Sequence, residues 1–301
     1  MSEPITCTPK RLHPDLWVAS AQKATQINPQ NHPPINRLML VHKGFAPSPM
    51  SIAVMTTKYW GAKGVKLSVG FLDNPPQALK TRILLHMNAW NKTANVQFFL
   101  SKTDPQVRIA READGYWSYL GTDILSIPAK EATMNLEAFS MSTPESEFHR
   151  VVRHETGHTL GCPHEHMRGE LVNLIDPQKA INFFGQTQGW DPDMVKAQVL
   201  TPLEQGSLIG TTFADQKSIM CYQIPGVVTK NGKPILGGLD IDKSDYAFMS
   251  GVYPKLAKTT ATKAKSSKAT SKAKAKSSKK AKAKSTKKAK AKSTKKAAKK
   301  K

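Results

Sequence analysis

The stretch HETGHTLGCPHEHMR, His154 to Arg168, constrains this chain more than any other, packing four histidines, two glutamates and a cysteine into fifteen positions. His154 and His158 are four residues apart, so on a helix they stand about 40° apart and both imidazoles can reach one ion. Glu155 lies one step round the helix, close to whatever the histidines hold. This is the H-E-x-x-H arrangement for zinc, with Glu155 as general base. Gly161 sits where the helix needs a left-handed residue to stop and turn. A turn there brings His164 back as a third nitrogen ligand. Three neutral ligands leave one tetrahedral position open, the pattern of a catalytic rather than a structural zinc. A solvated, histidine-rich helix end is the competing reading, but it leaves Gly161 and the ligand spacing as coincidences. The x-x-G-x-x-H spacing selects His164 over His166, which is expected either exposed or behind the ligands.

The helix carrying the motif has a clear start. Thr143 is expected as its N-cap and Pro144 as its first residue, with Glu145 and Glu147 in the first turn. Phe148, Val151 and Val152 supply a buried face. Upstream, VKLSVGF (65–71) alternates as a half-buried strand. Leu79, Ile83, Met87 and Trp90 recur 4, 4 and 3 residues apart, one face of a helix. VQFFL (96–100), VRIA (107–110) and TMNLEAF (133–139) read as extended segments. Strand–helix–strand order with short connections indicates an α/β or α+β layer. Downstream, Asp242 or Ser244 is expected to cap a last helix containing Tyr246, Phe248 and Met249. At the other end, HPDLWVASAQKATQIN reads as a short helix with Asp15 near its start, followed by a Pro/Asn-rich break.

Charge is unevenly placed. Of the 45 Lys and Arg residues, 21 are lysines in 255–301, where no acid occurs, leaving 24 against 22 Asp and Glu in residues 1–254. The high net charge of +23 therefore belongs to the tail. Its octads KAKAKSSK (272–279), KAKAKSTK (280–287) and KAKAKSTK (288–295) hold no apolar residue larger than alanine, so the tail is expected disordered. Lysines without aromatics attract phosphate but read no bases, so nucleic acid or another polyanion is the expected partner of 255–301. Three scattered cysteines make no disulfide framework. No apolar run is long enough for a membrane span, and the N-terminus has no signal-like apolar core. A cytoplasmic or nucleic-acid-associated protein is the default, with export independent of a cleaved signal left open.

HETGHTLGCPHEHMR resembles the active-site signature of the metzincin metallopeptidases, and its Glu165…Arg168 continuation resembles the astacin branch. SIMCY (218–222) resembles the methionine turn that underlies the zinc in that family, 56 residues after His164. LDIDKSDYAFMSGVYP (239–254) resembles the family's closing helix, and WSYLGTDIL (117–125) and TMNLEAF the segments before the active-site helix. The resemblance implies an α+β metzincin-like domain over 58–254. Its parts are a twisted mixed sheet with two helices above the active-site helix, and an irregular C-terminal subdomain holding the Met-turn and final helix. Residues 1–57 would be a propeptide or packing arm, and 255–301 the disordered tail. It further implies a microbial, astacin-like zinc endopeptidase acting on a protein or peptide substrate through one catalytic Zn2+. His154, His158 and His164 would be ligands, Glu155 the base, Tyr222 a hydroxyl for the oxyanion, and Met220 and Gly161 structural supports. TMNLEAF would be the substrate-binding edge strand.

Three features depart from the family pattern. Cys221 follows the turn methionine where animal astacins usually carry histidine, GELVN follows Arg168 in place of an Asp-rich run, and no processing site is evident to give Glu165 a mature N-terminus to pair with. Cys162 and Cys221 are expected as small apolar packers, with a disulfide or a redox pair as alternatives. The surroundings of Cys7 match no motif by which a thiolate blocks zinc, so the sequence gives little support for a Cys7–metal contact. The rival function is a polyanion-binding protein whose metal domain does not cleave peptides.

Overall fold

Five short apolar segments assemble the upper layer of this chain into one sheet. The computed structural model describes residues 7–8, 10–31, 54–55, 57–210 and 213–255. The chain divides into a body, Met1–Ala257, and a separate unit, Lys258–Lys301. The lysine repeats and their expected disorder lie outside the described residues, as does most of the Pro/Asn-rich break.

The strands in chain order are β1 (Val54–Met55), β2 (Val65–Phe71), β3 (Val96–Leu100), β4 (Val107–Ala110), β5 (Tyr116–Ser118) and β6 (Met134–Leu136), with β7 (Leu208–Ile209) later. The main sheet runs β3-β2-β4-β6-β5, and β1 pairs antiparallel with β7 in a separate two-stranded ribbon. All neighbours in the main sheet are parallel except β5, which is antiparallel to β6. TMNLEAF therefore forms an interior strand, and the edge is Tyr116–Ser118. The expectation that 133–139 is the edge strand is corrected. Both segments are short and apolar, so only the reversal of chain direction at β5 separates edge from interior.

β2 also departs from the expected half-buried alternation, since residues 67–70 are all buried. It lies between two parallel neighbours and is covered on both sides. Ser68 is accommodated by exchanging hydrogen bonds with Gln106 (3.2 and 3.0 Å), and at Gly70 the ring of Pro105 sits where a side chain would begin.

Helix α2 (Gln77–Met87) tightens into a turn at Asn88–Lys92, and Leu79, Ile83, Met87 and Trp90 are all at most 1% exposed, as their spacing requires. They pack on the sheet and on α3, which opens at Glu145–Glu147, widens through a π-type turn at Phe148–Val152 and continues as Arg153–Thr159. Thr143 does not cap α3. Its hydroxyl accepts from the Ser140 N–H (2.9 Å), and Pro144 takes the capping position with its carbonyl accepting from Glu147 N–H (3.1 Å). Trp90 ties the two helices together, its indole N–H donating to the Arg153 carbonyl at 3.0 Å.

Below α3 a second, smaller core gathers Leu171, Ile175, Phe184, Val199, Ile224 and Ile235. The last helix, α7 (Lys243–Val252), begins with a reciprocal capping box between Asp242 and Asp245. At the other end of the body, α1 (Trp17–Ile27) follows a tight turn at Pro14–Leu16. It is docked by Ser20 Oγ on Asp123 (2.7 Å), a carboxylate that also pairs with Lys58 Nζ (2.5 Å). Among the described residues no helix is long and apolar enough to cross a membrane.

Trp90→Ala is expected to lower the unfolding free energy by about 3–5 kcal/mol, through lost core volume and an orphaned Arg153 carbonyl. Urea denaturation checks this, and a loss below about 1 kcal/mol would show that α2 and α3 do not depend on the indole.

Candidate metal centre

α3 ends because the chain can turn left-handed at Gly161 (φ +96°). The Gly161 N–H closes on the His158 carbonyl (2.8 Å) and the Cys162 N–H on the Gly157 carbonyl (3.0 Å), satisfying the helix's last acceptors. The reversal carries Pro163 and His164 back beneath the helix. His164 Nε2 then lies 3.1 Å from both His154 Nε2 and His158 Nε2.

Which ring nitrogen is bare follows from the other one. His154 Nδ1 faces the Ile219 carbonyl at 2.6 Å and His158 Nδ1 the Cys162 carbonyl at 2.7 Å. A carbonyl only accepts, so each Nδ1 carries the proton and each Nε2 presents a lone pair. Burial holds the rings neutral: the His154 pKa falls to about 4, and His158 and His164 are driven well below the ordinary histidine range. Tetrahedral zinc with nitrogen ligands requires spacings of about 3.3 Å, so the donor set fits that ion.

The floor of the centre is the SIMCY turn. Met220 lies directly under Gly157, where an added methyl would come within 2.4 Å of its sulfur. The turn is held by the Cys221 N–H on the Ser218 carbonyl (3.0 Å) and by Asp245 Oδ2 accepting from the Ile219 N–H (3.0 Å). Asp245 thus joins the capping box of α7 to Ile219, the residue whose carbonyl faces His154. Glu165 N–H donates to the Met220 carbonyl (2.8 Å), joining the third histidine's loop to the same turn.

Glu155 is buried beside the histidines, and desolvation pushes its carboxyl up to about 8. The Tyr222 ring packs 4.1 Å from His164 and 4.3 Å from His166. His166 is fully buried behind the ligands, its Nε2 2.9 Å from the Gln198 carbonyl, and burial lowers its pKa to about 4. Of the two sequence readings for His166, the exposed one is excluded.

The sequence missed Cys7. Its Sγ lies 3.4 Å from both Glu155 Oε2 and His158 Nε2, and the thiol forms one potential metal-holding group with His154, His158 and His164. A sulfur and a nitrogen on one tetrahedral zinc stand about 3.5 Å apart. Cys7, Thr8 and Lys10 reach this place by pairing parallel to the sheet edge, Cys7 against Tyr116 and Lys10 against Tyr119, with the Thr8 N–H on the Tyr116 carbonyl (3.0 Å). Lys10 bridges to Asp114 (3.1 Å) and Arg11 Nη2 donates to the Ala197 carbonyl (3.3 Å), so the arm ties the upper lip of the cleft to the lower one. No local motif encodes this. The signal is an N-terminal thiol combined with an unpaired sheet edge more than a hundred residues away.

The other cysteines are free and buried. Cys162 Sγ packs against Met249 (3.8 Å) and Cys221 Sγ points to the Tyr222 carbonyl (3.6 Å), so both behave as small apolar groups. A second histidine–carboxylate group, His86, Glu145 and His149, also comes together. There Arg153 Nε donates to His86 Nδ1 (3.3 Å), which leaves the proton on the Nε2 that faces Glu145 (3.0 Å). That cluster is a charge network with its protons already assigned.

No family model matches the chain. Two solved structures of myroilysin resemble it. One is 29% identical, with 67% of this chain and 98% of that chain covered and a TM-score of 0.63. The other is 27% identical, with 83% and 100% covered and a TM-score of 0.51. The zinc metalloproteinase nas-27 of Caenorhabditis elegans is 32% identical over 106 residues, 35% of this chain, and the aligned region spans 23% of that relative's length.

Gly157→Ala is expected to cost about 1–3 kcal/mol, because the new methyl must displace the Met220 sulfur. Thermal unfolding measures the loss, and Gly157→Ala should cost less when made on a Met220→Ala background. An unchanged melting temperature would mean that the turn is not packed against the helix.

Proposed function

We propose that the chain is an astacin-like member of the metzincins, a zinc-dependent endopeptidase held in a latent state by its own N-terminal arm. The convergence of three uncharged Nε2 atoms at 3.1 Å carries the reading. His154, His158 and His164 would hold the ion, which when bound supplies a Lewis acid that lowers the pKa of water and polarises a peptide carbonyl. Glu155, buried beside the three histidines, takes the proton from the attacking water and passes it to the leaving amine. The Tyr222 hydroxyl, at the same centre, donates to the oxyanion. Met220 and Gly161 act from below, one as a floor and the other as the hinge that presents His164. The substrate backbone pairs with the β5 edge, since its Tyr116 lines the same cavity as His154 and Glu155.

In the described state that side is taken. Cys7 stands against Glu155 and His158 and serves as the fourth donor, while the arm uses the backbone of Tyr116 and Tyr119 that a substrate needs. Residues 1–57 thus act as an inhibitory segment on the 58–254 peptidase domain. Residues 255–301 act as a polybasic tether that concentrates the enzyme on nucleic acid or another polyanion. The charge distribution supports the tether, with almost all of the net +23 lying there.

Three experiments test the enzyme and its latency. Purified protein should hold about one zinc per chain. Full-length Cys7→Ser should cleave casein faster than the native protein, and adding Glu155→Gln should keep the zinc and abolish cleavage. The cobalt-substituted native protein should show a sulfur-to-metal charge-transfer band that Cys7→Ser lacks. Equal cleavage by native and Cys7→Ser protein, with no such band, would sink the latency.

For the tail, the 1–254 form should lose DNA retention that the full chain shows at low salt, and the full chain should lose it as salt rises. Equal retention by both forms removes the tether.

A further inference from the structure

His166 is buried to 0% exposure yet takes no part in the chemistry above. Its ring lies nearly parallel to that of Tyr222, at 4.3 Å and 11°, the closest face-to-face pairing around the centre. Tyr222 meets His164 on a tilt, at 4.1 Å and 46°, and His164 and His166 are 5.0 Å apart. The three rings therefore close into a triangle, with the phenol against both the ligand His164 and the second imidazole. His166 is itself fixed, because its Nε2–H donates to the Gln198 carbonyl at 2.9 Å and so cannot turn without leaving a buried acceptor empty. Its Nδ1 is buried with no hydrogen-bond partner among the described residues, so it is the ring face, and not a second polar contact, that the site uses.

A phenol can move its hydroxyl only by swinging its ring. Covering one face with an anchored flat ring restricts that swing, and aromatic pairs of this kind contribute beyond the area they bury. The structure assigns to His166 the role of a positioning residue: held by the Gln198 carbonyl, it stacks on Tyr222 and sets where the Tyr222 hydroxyl stands. The inference rests on the proposed part of Tyr222 in catalysis only for its consequence in rate, and the positioning itself is independent of it.

Two opposite replacements separate the stack from the anchor. His166→Gln keeps a donor for Gln198 and removes the ring, whereas His166→Phe keeps the ring and removes the donor. In zinc-loaded full-length protein, tetranitromethane should nitrate Tyr222 roughly threefold to tenfold faster in His166→Gln. His166→Phe should stay near the native rate, and Tyr119 and Tyr246, read by mass spectrometry in the same samples, should not change. On the Cys7→Ser parent, His166→Gln should lower kcat by a similar factor with KM unchanged. It should add no further loss once Tyr222 is Phe.

Unchanged Tyr222 nitration in His166→Gln, or a kcat loss that persists in full on the Tyr222→Phe background, overturns the assignment. If the Cys7→Ser parent cleaves nothing, the peptidase reading fails, and the nitration rates still decide the role of His166. Should His166→Gln not fold, His166→Phe remains decisive, because rapid Tyr222 nitration there would show that an aromatic face does not suffice.

Discussion

Three imidazole nitrogens converge at the centre, the His164 Nε2 standing 3.1 Å from the bare Nε2 of both His154 and His158, an arrangement suited to a shared cation. Everything nearby serves to impose it. The Ile219 and Cys162 carbonyls fix two tautomers, Gly161 turns the chain so that the third ring arrives, and burial keeps all three uncharged. Asp245 holds the Ile219 N–H, and its carboxylate is also the third-position partner of Asp242 in the capping box of the last helix. The start of α7, the Met220 turn and the first metal ligand are thus one hydrogen-bonded unit. Because the unfolded chain cannot make this site, metal binding free energy becomes folding free energy for the half of the body below α3.

The upper half contributes an edge. β5 reverses direction against β6 and leaves one side of its backbone unpaired by the sheet. An open edge accepts any extended segment, and here it accepts the chain's own Cys7, Thr8 and Lys10. Pairing through two bridges is weak by itself. What distinguishes this segment is that the same register delivers a thiol to the histidine cluster, so pairing and sulfur reinforce each other.

Local structure was readable where periodicity is strong. Leu79, Ile83, Met87 and Trp90 named the buried face of α2, and Asp242 was one of two residues named as the cap of α7. The spacing of His154, His158, Gly161 and His164 gave a cluster that the fold does bring together. The failures share a cause. Choosing β5 over β6 as the edge and placing Cys7 beside His158 each depend on contacts between segments far apart in sequence. The cap of α3 failed for a local reason, since Thr143 spends its hydroxyl on Ser140 and cannot also close the helix. The short strands at 116–118 and 134–136 carry no amphipathic contrast by which an edge could be told from an interior strand.

The arm and the ion are linked thermodynamically if Cys7 is the fourth donor. A ligand that binds one state better must shift the equilibrium toward it, and the effect is reciprocal. The docked arm would then tighten the hold on the ion, and the ion would tighten the hold on the arm. Without the ion, Cys7 keeps its contacts to Glu155 and His158, and desolvation holds its thiol protonated well above the ordinary range. A protonated thiol is a weak donor and a poor ligand, so the arm of the metal-free chain rests mainly on its strand pairing, Lys10–Asp114 and the docking of α1. Metal loading and latency would be set in one event, so that the chain becomes loaded and closed together, and opening it requires a change in the arm rather than in the centre.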